Sequence, residues 1–168
     1  MCANEIETNA KKMVAAGKGI LAADESDGTI KKRFDLINVP STEENRRSYR
    51  EMLFTAKNIE EHISGVILFD ETIRQKTKDG IPFAELLTSL GIVPGIKVDK
   101  GAKPLAGAPG ETVTEGLDGL RDRLAEYYEL GARFTKWRSV INIGNGLPTK
   151  YAIDTNAHAL ARFAALSQ

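Results

Sequence analysis

The sequence predicts an α/β fold with a parallel sheet, of which about four βα units are present. Three observations carry this expectation. Four short strand-like runs, residues 20–23 (ILAA), 63–69 (ISGVILF), 92–98 (IVPGIKV) and 133–140 (RFTKWRSV), are separated by segments with helical spacing of apolar residues. The second run is apolar at nearly every position, as expected of a strand covered on both faces. Strand and helix then alternate along the chain, an order that requires crossover connections and sets the strands parallel.

Each element has a local reason. Residues 5–16 read as a short helical lead-in, broken by Gly17 and Gly19 before the first strand, which Asp24 closes. Ser26 or Asp27 is placed as a helix cap in the turn after that strand. Pro40 precedes Ser41-x-x-Glu44, a capping-box pattern, and Tyr49, Met52, Leu53 and Ala56 come at i, i+3, i+4 and i+7 as a core-facing stripe. Arg46, Arg47 and Arg50 on that helix read as a solvated face, and His62 and His158 as ordinary surface or core-edge residues. Pro82 opens a helix carrying Phe83, Leu86, Leu87 and Leu90, which Gly91 stops. A Gly/Pro-rich loop over residues 101–110 leads to Thr112-x-x-Glu115, read as the cap of a helix carrying Leu117, Leu120, Leu124 and Tyr127 and closed by Gly131. Ile153, Ala157, Leu160 and Ala164 mark a last helix. Gly17-x-Gly19-x-x-Ala22 looks like a dinucleotide fingerprint but precedes a strand instead of coming after one, so it is set aside.

The chain has 168 residues, 42% of them hydrophobic, which fits one domain with an ample core and excludes wholesale disorder. Its 23 Lys+Arg balance 23 Asp+Glu, so it lacks the basic excess that binding to nucleic acid requires. The single Cys, Cys2, cannot form an internal disulfide, and no apolar run approaches a membrane span, so a cytoplasmic, reducing compartment is expected. Two His and one Cys cannot supply a closed zinc site, and no metal or other cofactor is expected.

Ionisable residues stand where these buried strands end. Lys97 and Asp99 alternate with Ile96 and Val98, and Lys136 and Arg138 project together with Trp137 opposite them, toward the helices. Asp24 closes the first strand and Glu71 comes just after the second. The carboxyl ends of strands are where parallel α/β folds place their sites. The cations Lys97, Lys136 and Arg138, gathered there among carboxylates, describe an anion-binding pocket for a phosphorylated small substrate. Crowded cations depress a lysine pKa, so Lys97 or Lys136 is the amine these residues alone would nominate for imine chemistry.

Seven segments give the chain a recognisable family. GKGILAADES at 17–26, TEENRR at 42–47, GVILF at 65–69, GIKVDKG at 95–101, PLAG at 104–107, GLDGL at 116–120 and KWR at 136–138 closely resemble class I fructose-bisphosphate aldolase, in order and from about Gly17 to Gln168. The resemblance implies a TIM (βα)8 barrel enzyme that cleaves fructose 1,6-bisphosphate reversibly to dihydroxyacetone phosphate and glyceraldehyde 3-phosphate through a Schiff base, without metal. It implies that Asp24 positions and deprotonates the substrate hydroxyl beside the cleaved bond, that Lys97 binds substrate, and that Lys136 stabilises charge near the imine. Arg138 matches a phosphate-binding arginine and Arg33 one of a basic pair near the substrate. Thr29 stands where the family has a serine touching a substrate phosphate. In the family the imine-forming lysine lies on the sixth strand and the acid-base glutamate on the fifth, and the full-length enzymes form homotetramers. A barrel needs eight strands, so residues 1–168 are expected to be a single domain equal to the N-terminal half of such a barrel, inactive alone. The competing reading is a non-catalytic half-barrel that binds sugar phosphates or assembles with itself.

Overall fold

The computed structural model describes residues 3–168; Cys2, and the lone-thiol reading with it, lies outside the described residues. Among the described residues eight helices and six strands fall into two compact units. The first runs to Lys97 and takes in Tyr127–Thr135, while the second comprises Val98–Glu126 and Lys136–Gln168. No helix of the described residues is long and apolar enough to cross a membrane.

The first unit begins with α1 (Ala3–Met13), β1 (Gly19–Ala23), α2 (Asp27–Asp35), α3 (Glu43–Phe54) and α4 (Ile59–His62). It continues through β2 (Ile63–Leu68), α5 (Asp70–Ile73), α6 (Phe83–Ser89) and β3 (Val93–Lys97). β1 pairs with β2 and β2 with β3, both in parallel, as the alternation of elements required. Val66, Leu68 and Ile96 are fully buried within these strands, and Phe54 of α3 meets Phe83 of α6 edge-on at 5.2 Å. Removing each such side chain from water stabilises the fold by about 1.5–3 kcal/mol. α6 starts after Pro82, and its chain is turned out of the helix by Gly91, whose φ of 74° an L side chain resists.

The remaining elements are β4 (Ala102–Pro104), β5 (Thr112–Thr114), α7 (Leu120–Glu129), β6 (Phe134–Lys136) and α8 (Lys150–Ser167). β6 completes a four-stranded sheet in the order β1-β2-β3-β6. Its Phe134 ring lies against the backbone of two neighbouring strands: a Cβ added at Gly65 would meet that ring at 3.3 Å, and one added at Gly95 would fall inside it. β3 therefore carries glycine at 95 because an aromatic ring occupies the space. In the second unit β4 and β5 form an antiparallel hairpin, and α8 packs on β5. Buried Glu111 accepts from Thr149 N at 2.7 Å and from Thr149 Oγ1 at 2.6 Å, at the first turn of α8.

Several sequence expectations shift. The cap of α3 is Thr42, whose Oγ1 accepts from Asn45 N at 3.1 Å, one residue after the expected Ser41. Its buried face is Arg50 and Phe54, while Met52 is 61% exposed, so the apolar stripe and the solvated arginine face are both misassigned. Thr112 does not cap a helix: it lies in β5 with its hydroxyl donated to Val140 O at 2.8 Å, and α7 begins only at Leu120. The last strand spans Phe134–Lys136 and not residues 133–140. Trp137 comes directly after it, packed on Phe163 of α8 with ring centroids 5.2 Å apart, which agrees with its expected direction toward the helices.

Candidate functional site

Ladder register sets the first part of the site. Ala23 pairs with Leu68, and Leu68 pairs with Ile96, so the three strands are level at that rung. One residue further along are Asp24, Phe69 and Lys97, all half-buried. β2 lies between β1 and β3, so the strands bearing Asp24 and Lys97 are about 10 Å apart, two strand spacings. A carboxylate and a lysine so placed at one end of a parallel sheet can contact two ends of one small polar ligand.

Around Asp24 the chain is held by arginines. Glu25 is buried and receives Arg33 on one oxygen and Arg50 Nη2 on the other, the latter at 3.2 Å. The Arg33 side chain remains 57% exposed, leaving part of its guanidinium toward solvent. Arg50 is completely buried, and its Nε donates to Ala23 O at 3.0 Å while Nη2 donates to Glu25 O at 2.9 Å. Burial pushes this guanidinium below its usual range, against the pull of the Glu25 carboxylate. Thr29, exposed in the first turn of α2, has its Oγ1 3.2 Å from Ser26 Oγ. Ser26 is the N-cap of α2 by position, without a side-chain cap bond.

Glu71, expected just after the second strand, lies there in α5 and is bound by Arg46 through Nε at 2.8 Å and through Nη2, and the same carboxylate raises the Arg46 pKa. That arginine also donates to Ser41 O at 2.7 Å, so the pair staples the start of α3 to the segment after β2. Arg47 grips Glu44 and Glu51, and the hydrogen bond from Arg47 holds Glu44 down to about 2. Glu51 is lowered first by the backbone N–H of Lys78 and then by Arg47.

The second unit supplies the other candidates. Lys136 is the last residue of β6 and its carbonyl accepts from Val98 N at 3.1 Å. Arg138 is exposed, and its own carbonyl accepts from Thr114 Oγ1 at 2.7 Å, which fixes the backbone of the post-strand segment to the hairpin. Asp99 is buried and lies past the end of β3, where its Oδ1 accepts from Gly101 N at 3.1 Å. It thus closes a turn, a role that the expected strand alternation with Lys97 does not describe. A groove of the second unit lined by Leu117, Leu120, Arg121, Arg162 and Leu166 contains none of the candidate residues.

Arg50 is the residue that sequence reasoning missed. The signal was present as Arg46, Arg50 and Phe54 at i, i+4 and i+8, but a hydrophobic periodicity counts arginine as solvent-facing.

A family model described as "Fructose-bisphosphate aldolase class-I" matches residues 5–168. A protein of Xanthomonas axonopodis pv. citri named "Probable fructose-bisphosphate aldolase class 1" is 64% identical over the whole chain, which covers 50% of that protein. "Fructose-bisphosphate aldolase 6, cytosolic" of Arabidopsis thaliana is 56% identical over 99% of the chain and 46% of its own length. Among solved structures, Plasmodium falciparum fructose-bisphosphate aldolase, crystallised with TRAP and a small-molecule inhibitor, superposes with a TM-score of 0.94 at 51% identity. That match covers 98% of this chain and 48% of the other. The chain thus spans about half the length of the relatives it matches, and its parallel sheet with helices is part of the α/β barrel those relatives form. The chain belongs to the class I fructose-bisphosphate aldolase family.

Proposed function

We propose that the protein these residues belong to cleaves fructose 1,6-bisphosphate reversibly into dihydroxyacetone phosphate and glyceraldehyde 3-phosphate in the cytoplasm. The observation that carries the proposal is the position of Asp24, the first residue after β1, and of Lys97, the last residue of β3, each one residue past the level rung of Ala23, Leu68 and Ile96 at the same end of the sheet. An amine of the protein condenses with the substrate C2 carbonyl and loses water, and the resulting iminium draws the electron pair of the C3–C4 bond. Asp24 takes the proton of the C4 hydroxyl as that bond breaks, and the aldehyde departs. Lys97 binds substrate hydroxyl or phosphate oxygens, Lys136 offsets negative charge near the reacting carbon, and Arg138, Arg33 and Thr29 hold phosphate.

The family resemblance puts the imine-forming lysine on a sixth strand, so Lys97 and Lys136 serve as fixed charges and these 168 residues, taken as one domain, do not turn over substrate alone. The test is Asp24→Asn in the full-length parent enzyme. Loss of a positioned base lowers kcat by about 10²–10⁴-fold with a small change in KM. A variant with the parental kcat removes Asp24 from the mechanism. Incubating the 168-residue chain with dihydroxyacetone phosphate and borohydride, then weighing it, tests the assignment of the lysines: an adduct on Lys97 or Lys136 overturns it.

A further inference from the structure

We infer that Arg50, a buried arginine outside the reacting groups, is a positioning residue that sets the aim of the Asp24 carboxylate; the inference rests on the reading of Asp24 as the base. One guanidinium holds the two carbonyls that flank Asp24: Nε donates to Ala23 O at 3.0 Å and Nη2 to Glu25 O at 2.9 Å. Asp24 is the residue between them and the first beyond β1, where the ladder no longer dictates backbone direction. A planar fork that binds Ala23 O and Glu25 O fixes the peptide plane entering the Asp24 Cα and the plane that leaves Glu25, and so limits how far the Cα–Cβ bond of the residue between them can swing.

The burial is costly and is not explained by stability. Arg50 is 0% exposed, its Nη1 has no hydrogen-bond partner among the described residues, and the carboxylate of Glu25 that offsets its charge is itself nearly buried. An apolar side chain of similar volume on that face of α3 would pack beside Phe54 without desolvating a cation. What such a side chain could not do is donate to two carbonyls, one at the end of β1 and one just past it. Reactive groups need to be held to within about 0.5 Å, and a buried fork on adjacent backbone provides that where the sheet does not.

The experiment uses the full-length parent enzyme with Arg50→Lys and Arg50→Gln, each alone and combined with Asp24→Asn. Rates are expressed per site that traps dihydroxyacetone phosphate under borohydride, so a partly folded preparation still gives a meaningful rate. Both variants shorten the fork to a single donor group. The expected result is a fall in kcat of about 10–100-fold with KM within about threefold. In the Asp24→Asn background the same substitutions change the residual rate by less than about twofold, because the residue they aim is already gone. An equal loss in both backgrounds overturns the inference, as does parental kcat in both variants. Failure of both to fold also overturns it, since Arg50 then serves the fold as a whole. A parental rate in Asp24→Asn alone instead refutes the reading of Asp24. A dead Asp24→Asn beside fully active Arg50 variants refutes only the aiming role.

Discussion

Replacing Gly95 with alanine adds one methyl group where an aromatic ring already lies. The new Cβ would come within about 2.5 Å of three carbons of the Phe134 ring, whereas carbon atoms at rest stay roughly 3.5–4.0 Å apart. Ring or strand must therefore retreat by about 1 Å. Neither moves freely, because Gly65 on β2 contacts the same ring and Arg133 N donates to Pro94 O at 2.8 Å beside it. Overpacking of this kind costs about 1–3 kcal/mol, and a ring pinned over two strands puts Gly95→Ala toward the upper end. Thermal unfolding of the full-length parent reads the effect as a midpoint lowered by several degrees. Phe134→Leu in the same chain should return most of the loss, so the two changes together cost less than the sum of each alone. A midpoint for Gly95→Ala within one degree of the parent, or a strictly additive pair, would refute the packing argument.

Three further outcomes rest on the same kind of contact. Arg47→Met removes the partner that holds Glu44 down to about 2 and helps hold Glu51 low. A depressed carboxylate adds stability above its unfolded pKa and loses it as pH falls through the folded value, so this contribution fades from about 4.5 toward 2. Acid titration monitored by circular dichroism should show the variant unfolding at higher pH than the parent, with no difference between them below pH 2 beyond any pH-independent loss. Glu111→Ala leaves Thr149 N without its carboxylate at the start of α8 and should lower full-length stability by about 1–3 kcal/mol, read as a reduced melting temperature. Arg138→Ala removes the exposed side chain to which phosphate binding is assigned in the proposal. It should raise KM for the bisphosphate by about tenfold while changing kcat less, and an unchanged KM would take Arg138 out of the substrate contacts.

The parallel βα order was legible because its signals are local: a continuous apolar strand at β2, and Pro82 and Gly91 bracketing α6. The strand-end positions of Asp24 and Lys97 were legible because each ionisable residue closes an apolar run. What the sequence hid depends on partners distant along the chain. Thr112 reads as a helix cap, yet its hydroxyl goes to Val140 O, 28 residues away, and its strand is made by pairing with Ala102–Pro104. The alternation of residues 133–140 promised a long strand, but Trp137 packs on α8 and Arg138 is tied through its carbonyl to Thr114, which ends the run at Lys136. Arg50 was hidden for a third reason: its acceptors are carbonyls, which leave no trace in the identity of the residues that carry them.

Shared register between β1, β2 and β3 gives the candidate site a ruler. Positions along a strand come in steps of about 3.3 Å, and a slip of one residue sends every side chain to the opposite face. The spacing between Asp24 and Lys97 is therefore quantised: no continuous deformation can retune it without breaking rungs such as Ala23 to Leu68 and Leu68 to Ile96. Lengthening the segments that join these strands leaves it untouched. Such an arrangement separates two kinds of change, letting loops and helices drift while the distance between the strand ends that lead to a carboxylate and to a lysine stays locked to the backbone ladder.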